Sequence, residues 1–301
     1  MPETVPYRYC VVDVFTREPL EGNPLAVFPS AAGIPEHRLQ QIARELNLSE
    51  TVFVYDPTTD GCAARLRIFT PAREVPFAGH PTVGSSFVLW QTRRVPTDAT
   101  HFQLEEKIGI VPIRVEHEHG ERPLIWLTTP PITFGKTLDP VACAEALGIS
   151  PKDLLPVKPQ FVSAGNPMAM IAVRTKDVVD RSWLGMENSR KLSGLSDGPA
   201  GFFVFTPTQE GAYSRMFAPE HGVTEDPATG SATGPLAAYM ARYELCQPSA
   251  GTRLISEQGT QMGRRSLLHI QFNDDAGKNG IEIGGYVTPI IDGAIMQVPS
   301  N

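Results

Sequence analysis

The sequence predicts an α/β fold built from two related halves of mixed strands, and two observations carry that prediction. Strand-like and helix-like stretches alternate through the first third of the chain, and the landmarks of that third return later in the same order. The length agrees, since 301 residues exceed one ordinary domain and can bury a large core without staples.

Tyr7 to Phe15 is rich in aromatic and β-branched residues, and Leu25 to Phe28 follows a Gly-Asn-Pro turn, so together they predict a strand pair. From Glu36 to Leu46 the apolar residues Leu39, Ile42, Ala43 and Leu46 fall at i, i+3, i+4 and i+7, the spacing of one buried helical stripe. That helix is expected to end near Asn47. Thr51 to Tyr55 and Ala64 to Thr70 read as strands. Gly79-His80-Pro81 then leads into a helix over Thr82 to Gln91, because Pro is favoured at the first helical position.

The repeat is read from three landmarks. Gly22-Asn23-Pro24-Leu25-Ala26-Val27-Phe28 is echoed by Gly165-Asn166-Pro167-Met168-Ala169-Met170-Ile171. Arg67-Ile68-Phe69-Thr70-Pro71 is echoed by Arg215-Met216-Phe217-Ala218-Pro219, and Gly79-His80 by Gly230-Ser231, which opens a second helix. The offsets, 143, 148 and 151 residues, drift in one direction, as small insertions in a duplicated sequence make them. Two matched helices that begin on glycine offer unpaired N–H groups and partial positive charge. Facing one cleft between the halves, they predict a small anionic ligand, most simply a carboxylate. Ser182 to Pro199, rich in Gly and Ser, reads as a loop.

Composition excludes several function classes. There are 26 basic against 33 acidic residues, a net charge of -7, and no basic run. Counterion release from nucleic acid and attraction to an anionic bilayer therefore have little to act on, and neither partner is expected. No apolar run approaches a bilayer span, and the opening Met-Pro-Glu-Thr-Val-Pro lacks the basic and apolar regions of a leader, so a cytoplasmic location is expected. Cys10, Cys62, Cys143 and Cys246 lie far apart without CxxC spacing, which suggests neither a zinc site nor a dithiol pair.

Four residues are candidates for chemistry. Glu50 stands at the junction of the first helix and an apolar strand, where partial burial would raise its carboxyl toward neutrality and let one group take and return a proton. A solvated glutamate just past a helix suits the same position. His80 sits between the repeated glycine and Pro81, where its ring can face the cleft or simply cap the helix. Asp226, beside Glu225, can orient or charge His80, and Ser231 can donate to a ligand oxygen, while helix capping explains both equally well. Other motifs fail: Gly79 to Ser85 lacks the lysine of a phosphate loop, and neither GxGxxG nor GxSxG occurs. His117-Glu118-His119 has the wrong spacing for a helical metal pair and reads as an exposed turn.

At these residues the chain resembles the PhzF family of phenazine-biosynthesis isomerase-like proteins, related in fold to diaminopimelate epimerase. The resemblance rests on Glu21-Gly22-Asn23-Pro24, Ile42 through Glu50, Arg67-Ile68-Phe69-Thr70-Pro71, Pro76-Phe77-Ala78-Gly79-His80-Pro81, Arg215-Met216-Phe217 and Glu225-Asp226-Pro227-Ala228-Thr229-Gly230-Ser231-Ala232. It implies two α/β halves, each a mixed sheet or barrel curled around a central helix, with the active site in the cleft, and a homodimer. The halves are expected to span residues 1–118 with a C-terminal strand near 286–301, and residues 119–285.

The resemblance further implies that Glu50 is the acid/base, that His80 and Asp226 support it, and that Ser49, Gly79, Thr229, Gly230, Ser231 and Asn23 contact a carboxylate-bearing substrate. The activity it implies is a cofactor-free isomerisation of trans-2,3-dihydro-3-hydroxyanthranilate, in which a proton moves between ring carbons and an enol becomes a ketone. Related epimerases place a cysteine before the helix of each half. The matching positions here read Ala78 and Thr229, which argues against a two-thiol epimerase. A non-catalytic binder of the same fold, or another single-base isomerase or lyase, is the rival expectation.

Overall fold

The computed structural model describes residues 6–118, 121–194, 200–273 and 280–296. The chain divides into two units, Met1–Leu127 with Gly284–Asn301, and Thr128–Ile283. The halves expected from the family resemblance meet near 118; the units meet at Leu127 and Thr128, and strand β8, below, pairs with β7.

In the first unit the chain runs β1 (Tyr7–Val14), β2 (Asn23–Phe28), α1 (Glu36–Leu46), β3 (Glu50–Tyr55), β4 (Ala64–Phe69), β5 (Glu74–Val75), α2 (Gly79–Gln91), β6 (His101–Glu106), β7 (Gly109–Glu116) and β8 (Leu124–Thr128). Strands β1 and β2 are antiparallel, and β2 and β3 are parallel across α1. Strand β4 lies antiparallel to β3 and β5 and parallel to β6 across α2. The β6–β7 and β7–β8 pairs close the run as antiparallel neighbours. Asn23 and Pro24, expected in a turn, belong to β2 and pair with Val14 and Asp13.

The second unit comprises β9 (Thr133–Thr137), α3 (Pro140–Ala146), β10 (Gln160–Ser163), β11 (Pro167–Ala172), α4 (Lys176–Arg181), α5 (Met186–Ser193), β12 (Gly201–Pro207), β13 (Gly211–Ala218), β14 (Val223–Asp226), α6 (Gly230–Arg242), β15 (Arg253–Gln258) and β16 (Ser266–Phe272). Its pairing order from β10 to β16 repeats that of β1 to β7. Strands β11 and β12 are parallel, β13 lies antiparallel to β12 and β14, β13 and β15 are parallel, and β15 and β16 are antiparallel. The chain returns through β17 (Ile281–Gly285) to β18 (Val287–Ile295), which pairs antiparallel with β1.

All three sequence landmarks fall on matching elements: the Gly-Asn-Pro segments open β2 and β11, the arginines lie on β4 and β13, and the glycines open α2 and α6. Gly22 and Gly165 recur because both adopt positive φ, +68° and +109°.

Alternation builds the layers. On β12, Phe202 and Val204 join a core with residues of α3, α4 and α5, while Phe203 and Phe205 face a second core with Leu236 and Tyr239 of α6. In the first unit α1 buries Leu39, Ile42 and Ala43 against Phe28, Phe53 and Phe69, and ends at Asn47 in the left-handed conformation. Helix α2 is different in kind, being buried at every position from Gly79 to Leu89, the signature of a central helix. It starts two residues before Pro81, since first-turn N–H groups have no intrahelical partner and a proline there costs nothing. The segment from Ser182 to Pro199 is not all loop. Met186–Ser193 forms α5, with Ser189, Leu192 and Ser193 buried, and residues 195–199 lie outside the described residues.

Gly84 lets α2 press on the sheet: a Cβ there would sit 2.6 Å from Leu25 Cδ2 and 2.8 Å from Val14 Cγ2. Gly84→Val is therefore expected to destabilise the protein by about 2–3 kcal/mol through overpacking, read as a lower urea midpoint at unchanged m-value.

Candidate active site

In the first unit the left-handed turn at Asn47 and a bend through half-buried Ser49 deliver Glu50 as the first residue of β3, opposite Leu25 of β2. Its side chain is 18% exposed, so the solvated reading of this glutamate does not hold. His80, the second residue of α2, is 6% exposed in its side chain and brings Nε2 to 3.3 Å from Glu50 Oε2. A carboxylate at that distance favours the imidazolium, whereas burial favours the neutral ring. Burial prevails because the ring is wholly out of water, and it drives the His80 pKa down to about 3. The pair is thus a carboxyl group beside a neutral imidazole at the start of the central helix. Ala78, the residue capping α2, supplies no side-chain acceptor, so the first-turn N–H groups of Gly79 and His80 are not capped from within. Asn23 lies fully buried in β2.

A buried acid stands behind this helix start. Glu106, the last residue of β6, is 5% exposed and has Oε1 2.7 Å from the Thr82 hydroxyl, which also lies 2.8 Å from the Ala78 carbonyl. The Thr82 hydroxyl has one proton and two acceptors in reach, the Glu106 carboxyl and the Ala78 carbonyl, and it donates to one of them at a time. Burial pushes the Glu106 pKa up to about 8, against a weaker downward pull from Thr82. A raised folded-state pKa gives stability that is complete below the unfolded value of 4.5 and is lost as pH rises to about 8. His80 has the opposite sign: its contribution is complete above 6.5 and is lost as pH falls toward about 3. Glu106→Gln, which keeps the donor and cannot ionise, is expected to remove the alkaline loss, on the order of 1.4 kcal/mol per pH unit through that window. Urea melts of both proteins from pH 5 to pH 8 read this directly.

In the second unit the same position of the fold is built from a carboxyl group, a hydroxyl and an amide. Asp226 ends β14, and its Oδ2 accepts from the Thr229 hydroxyl at 2.5 Å. Thr229 precedes α6 without capping it through its side chain, and its N–H donates to Gln258 Oε1 at 3.1 Å. The residue at the cap position of α6 is Thr229, not Asp226 or Ser231. Gly230 is buried in the first turn of α6, and Ser231 beside it is half-buried.

In each unit the repeated arginine holds the short strand that precedes the glycine-led helix. Arg67 is bidentate to Glu74 of β5, at 2.8 and 3.1 Å, and Arg215 is bidentate to Glu225 of β14, at 2.8 Å twice. Thiol chemistry is absent from the described helix starts, which carry Ala78 and Thr229. Burial raises the pKa of every cysteine, to about 11 for Cys10 and Cys246 and about 12 for Cys143, so none is a ready nucleophile. Of the His-Glu-His segment, His117 bonds to the Ala99 carbonyl and Glu118 to Arg17 and Tyr286, while His119 lies outside the described residues. Among the described residues no cluster of three metal-binding side chains occurs.

A family model described as phenazine biosynthesis-like protein, PhzC-PhzF, matches residues 12–293. The chain belongs to the PhzC-PhzF family. It is an isomerase of that family, in keeping with the names of its curated relatives. The trans-2,3-dihydro-3-hydroxyanthranilate isomerase of Pseudomonas aeruginosa is 34% identical over 289 residues, which cover 93% of this chain and 95% of that one. The crystal structure of a PhzF-family phenazine biosynthesis protein from Bacillus anthracis aligns with a TM-score of 0.86 at 25% identity, over 97% of this chain and 99% of that one. A probable proline racemase from Agrobacterium radiobacter K84 aligns at 0.67 with 14% identity, over 98% of this chain and 93% of the racemase, and shares the fold.

Two residues of this PhzC-PhzF chain are not reached by reasoning from motifs: Glu106 and Gln258. Both end the strand that runs parallel to the arginine strand, β6 beside β4 and β15 beside β13. A signal for them exists in the sequence, because their offset of 152 residues continues the drift of the three landmarks. Among the described residues no helix is long and apolar enough to cross a membrane.

Proposed function

We propose that this protein moves a proton within a small, unsaturated, carboxylate-bearing metabolite of the trans-2,3-dihydro-3-hydroxyanthranilate type, using one glutamate and no cofactor. The observation that carries the reading is the approach of Glu50 to a neutral, buried His80 at the uncapped start of α2. Glu50 takes the proton from one ring carbon and returns it to another, so the carboxyl ends the cycle as it began and no second base is needed. His80, held neutral, offers a hydrogen bond to charge developing on the ring without carrying charge of its own. Two anion-binding helix starts support the reading, Gly79 in the first unit and Gly230 with Ser231 in the second, and Asp226 supports charge on a ring substituent. Ser49 and Asn23 belong to the substrate side of the same reading, and Thr229 supports Asp226.

The reading includes a homodimer, which light scattering tests, and a cytoplasmic location, which suits free thiols. The test is mass-spectrometric deuterium uptake in heavy water, with trans-2,3-dihydro-3-hydroxyanthranilate and a panel of small unsaturated carboxylates. Isomerised product is expected, with deuterium incorporated to the extent that the proton held on Glu50 exchanges with solvent before its return. Folded protein that binds a panel member without exchange or isomerisation overturns the enzymatic reading and leaves a binding protein.

A further inference from the structure

We propose that Gln258 is a positioning residue for Asp226, acting through the Thr229 hydroxyl; the inference rests on the functional reading above. Gln258 is fully buried at the end of β15. Two backbone groups fix which way its amide points. Oε1 faces the Thr229 N–H, which can only donate, at 3.1 Å, and Nε2 faces the Asp226 carbonyl, which can only accept, at 2.7 Å. With that orientation forced, the second Nε2 hydrogen goes to Thr229 Oγ1 at 3.0 Å. A threonine hydroxyl that accepts there has its own proton left for Asp226 Oδ2, 2.5 Å away. The chain of donation is therefore one-way, from Gln258 to Thr229 to the Asp226 carboxylate.

The surrounding backbone is shaped to allow it. Gly259, next to Gln258, lies at φ +77°, and a Cβ there would come within 2.6 Å of the Pro227 carbonyl and 2.4 Å of the Arg264 carbonyl. Only glycine lets the turn after β15 press against the segment that joins Asp226 to Thr229. Thr229 thus has both its N–H and its hydroxyl committed inside the protein. Its part is to aim Asp226 and not to hold substrate.

The first unit marks what is specific to this arrangement. Glu106, at the matching strand end, reaches Thr82 instead of the residue before the helix, and the position matching Asp226 is Val75. Where no carboxylate has to be aimed, the strand-end residue bonds elsewhere.

The test uses the full-length protein and four variants. Gln258→Met and Thr229→Val keep shape and remove one link each, and both are expected to lower kcat/KM ten- to hundredfold, mainly through kcat, with circular dichroism unchanged. Thr229→Ser, which restores the hydroxyl, is expected to stay within threefold of wild type. In an Asp226→Asn background, Gln258→Met is expected to add less than twofold. Folded Gln258→Met at wild-type activity, or losses that multiply in the double variant, overturns the proposal. If Gln258→Met does not fold, Gln258→Leu replaces it, since it also fills the buried volume with an apolar group and cannot donate.

A readout independent of turnover separates this inference from the functional reading. The Thr229 hydroxyl proton, locked between two partners, is expected as a slowly exchanging NMR resonance in wild type, absent in Thr229→Val and lost to exchange in Gln258→Met. Its persistence in Gln258→Met overturns the relay whatever the substrate. Its loss there, together with an inactive wild type, upholds the relay and rejects the reaction.

Discussion

Glu50→Gln is expected to abolish measurable isomerisation, a fall of roughly a hundred- to ten-thousandfold, while ligand affinity changes by no more than about threefold. The substitution is nearly isosteric and Glu50 is anchored by strand pairing at its backbone, so the amide occupies the same space beside His80. What it loses is the ability to accept a proton at one carbon and release it at another. His80 cannot substitute, because a buried ring with a pKa near 3 is a poor base at neutral pH. Turnover and deuterium uptake must therefore vanish together. Retained turnover would move the acid/base role away from Glu50, and a parallel loss of binding would make Glu50 a binding group. Calorimetric titration of both proteins with the same ligand distinguishes these results.

Glu225→Leu is expected to produce the largest loss of stability, about 3–5 kcal/mol. Arg215 is 9% exposed in its side chain, and Nη1 already serves the Asp180 and Ser182 carbonyls at 2.7 Å each. Removing Glu225 strands Nε and Nη2 in the interior as unpaired donors on a full charge. The matched Glu74→Leu is expected to cost only about 1 kcal/mol, because Arg67 is 22% exposed and keeps Glu36 as a second partner. Arg215→Met with Glu225→Leu is expected to recover most of the loss, since an apolar pair needs no partner. Urea denaturation of the three variants measures each difference.

The fold was legible where periodicity is strong. Helix α1 runs from Glu36 to Leu46 as the spacing of its apolar residues predicts, and the repeated glycines and arginines fall on matching elements. Legibility failed where structure depends on partners distant in sequence. Nothing near Gln258 announces that it will reach back 29 residues to Thr229, and Glu106 is an ordinary strand glutamate until burial is known. Helix α2 begins before its proline because only tertiary burial settles where a first turn starts. Helix α5 hides among polar residues because its apolar stripe is a single leucine flanked by serines. For the site, motif order brought forward Glu50 and His80, which the structure holds 3.3 Å apart, but it gave Asp226 and Ser231 as caps or contacts alike. The bonds of Asp226 to Thr229 and Gln258 exist only in the fold, and a bond from a residue 32 positions away leaves no local pattern.

The matched helix starts differ at each chemically active position: Val75 against Asp226, Ala78 against Thr229, His80 against Ser231, Glu106 against Gln258. In an assembly of identical chains, any codon change at such a position would appear at every helix start at once. Here both frameworks are encoded in tandem, so one helix start can acquire a histidine while the other acquires a hydroxyl. A single gene thus explores asymmetric combinations one substitution at a time, and the shared sheet order can stay constant while substrate preference diverges among descendants.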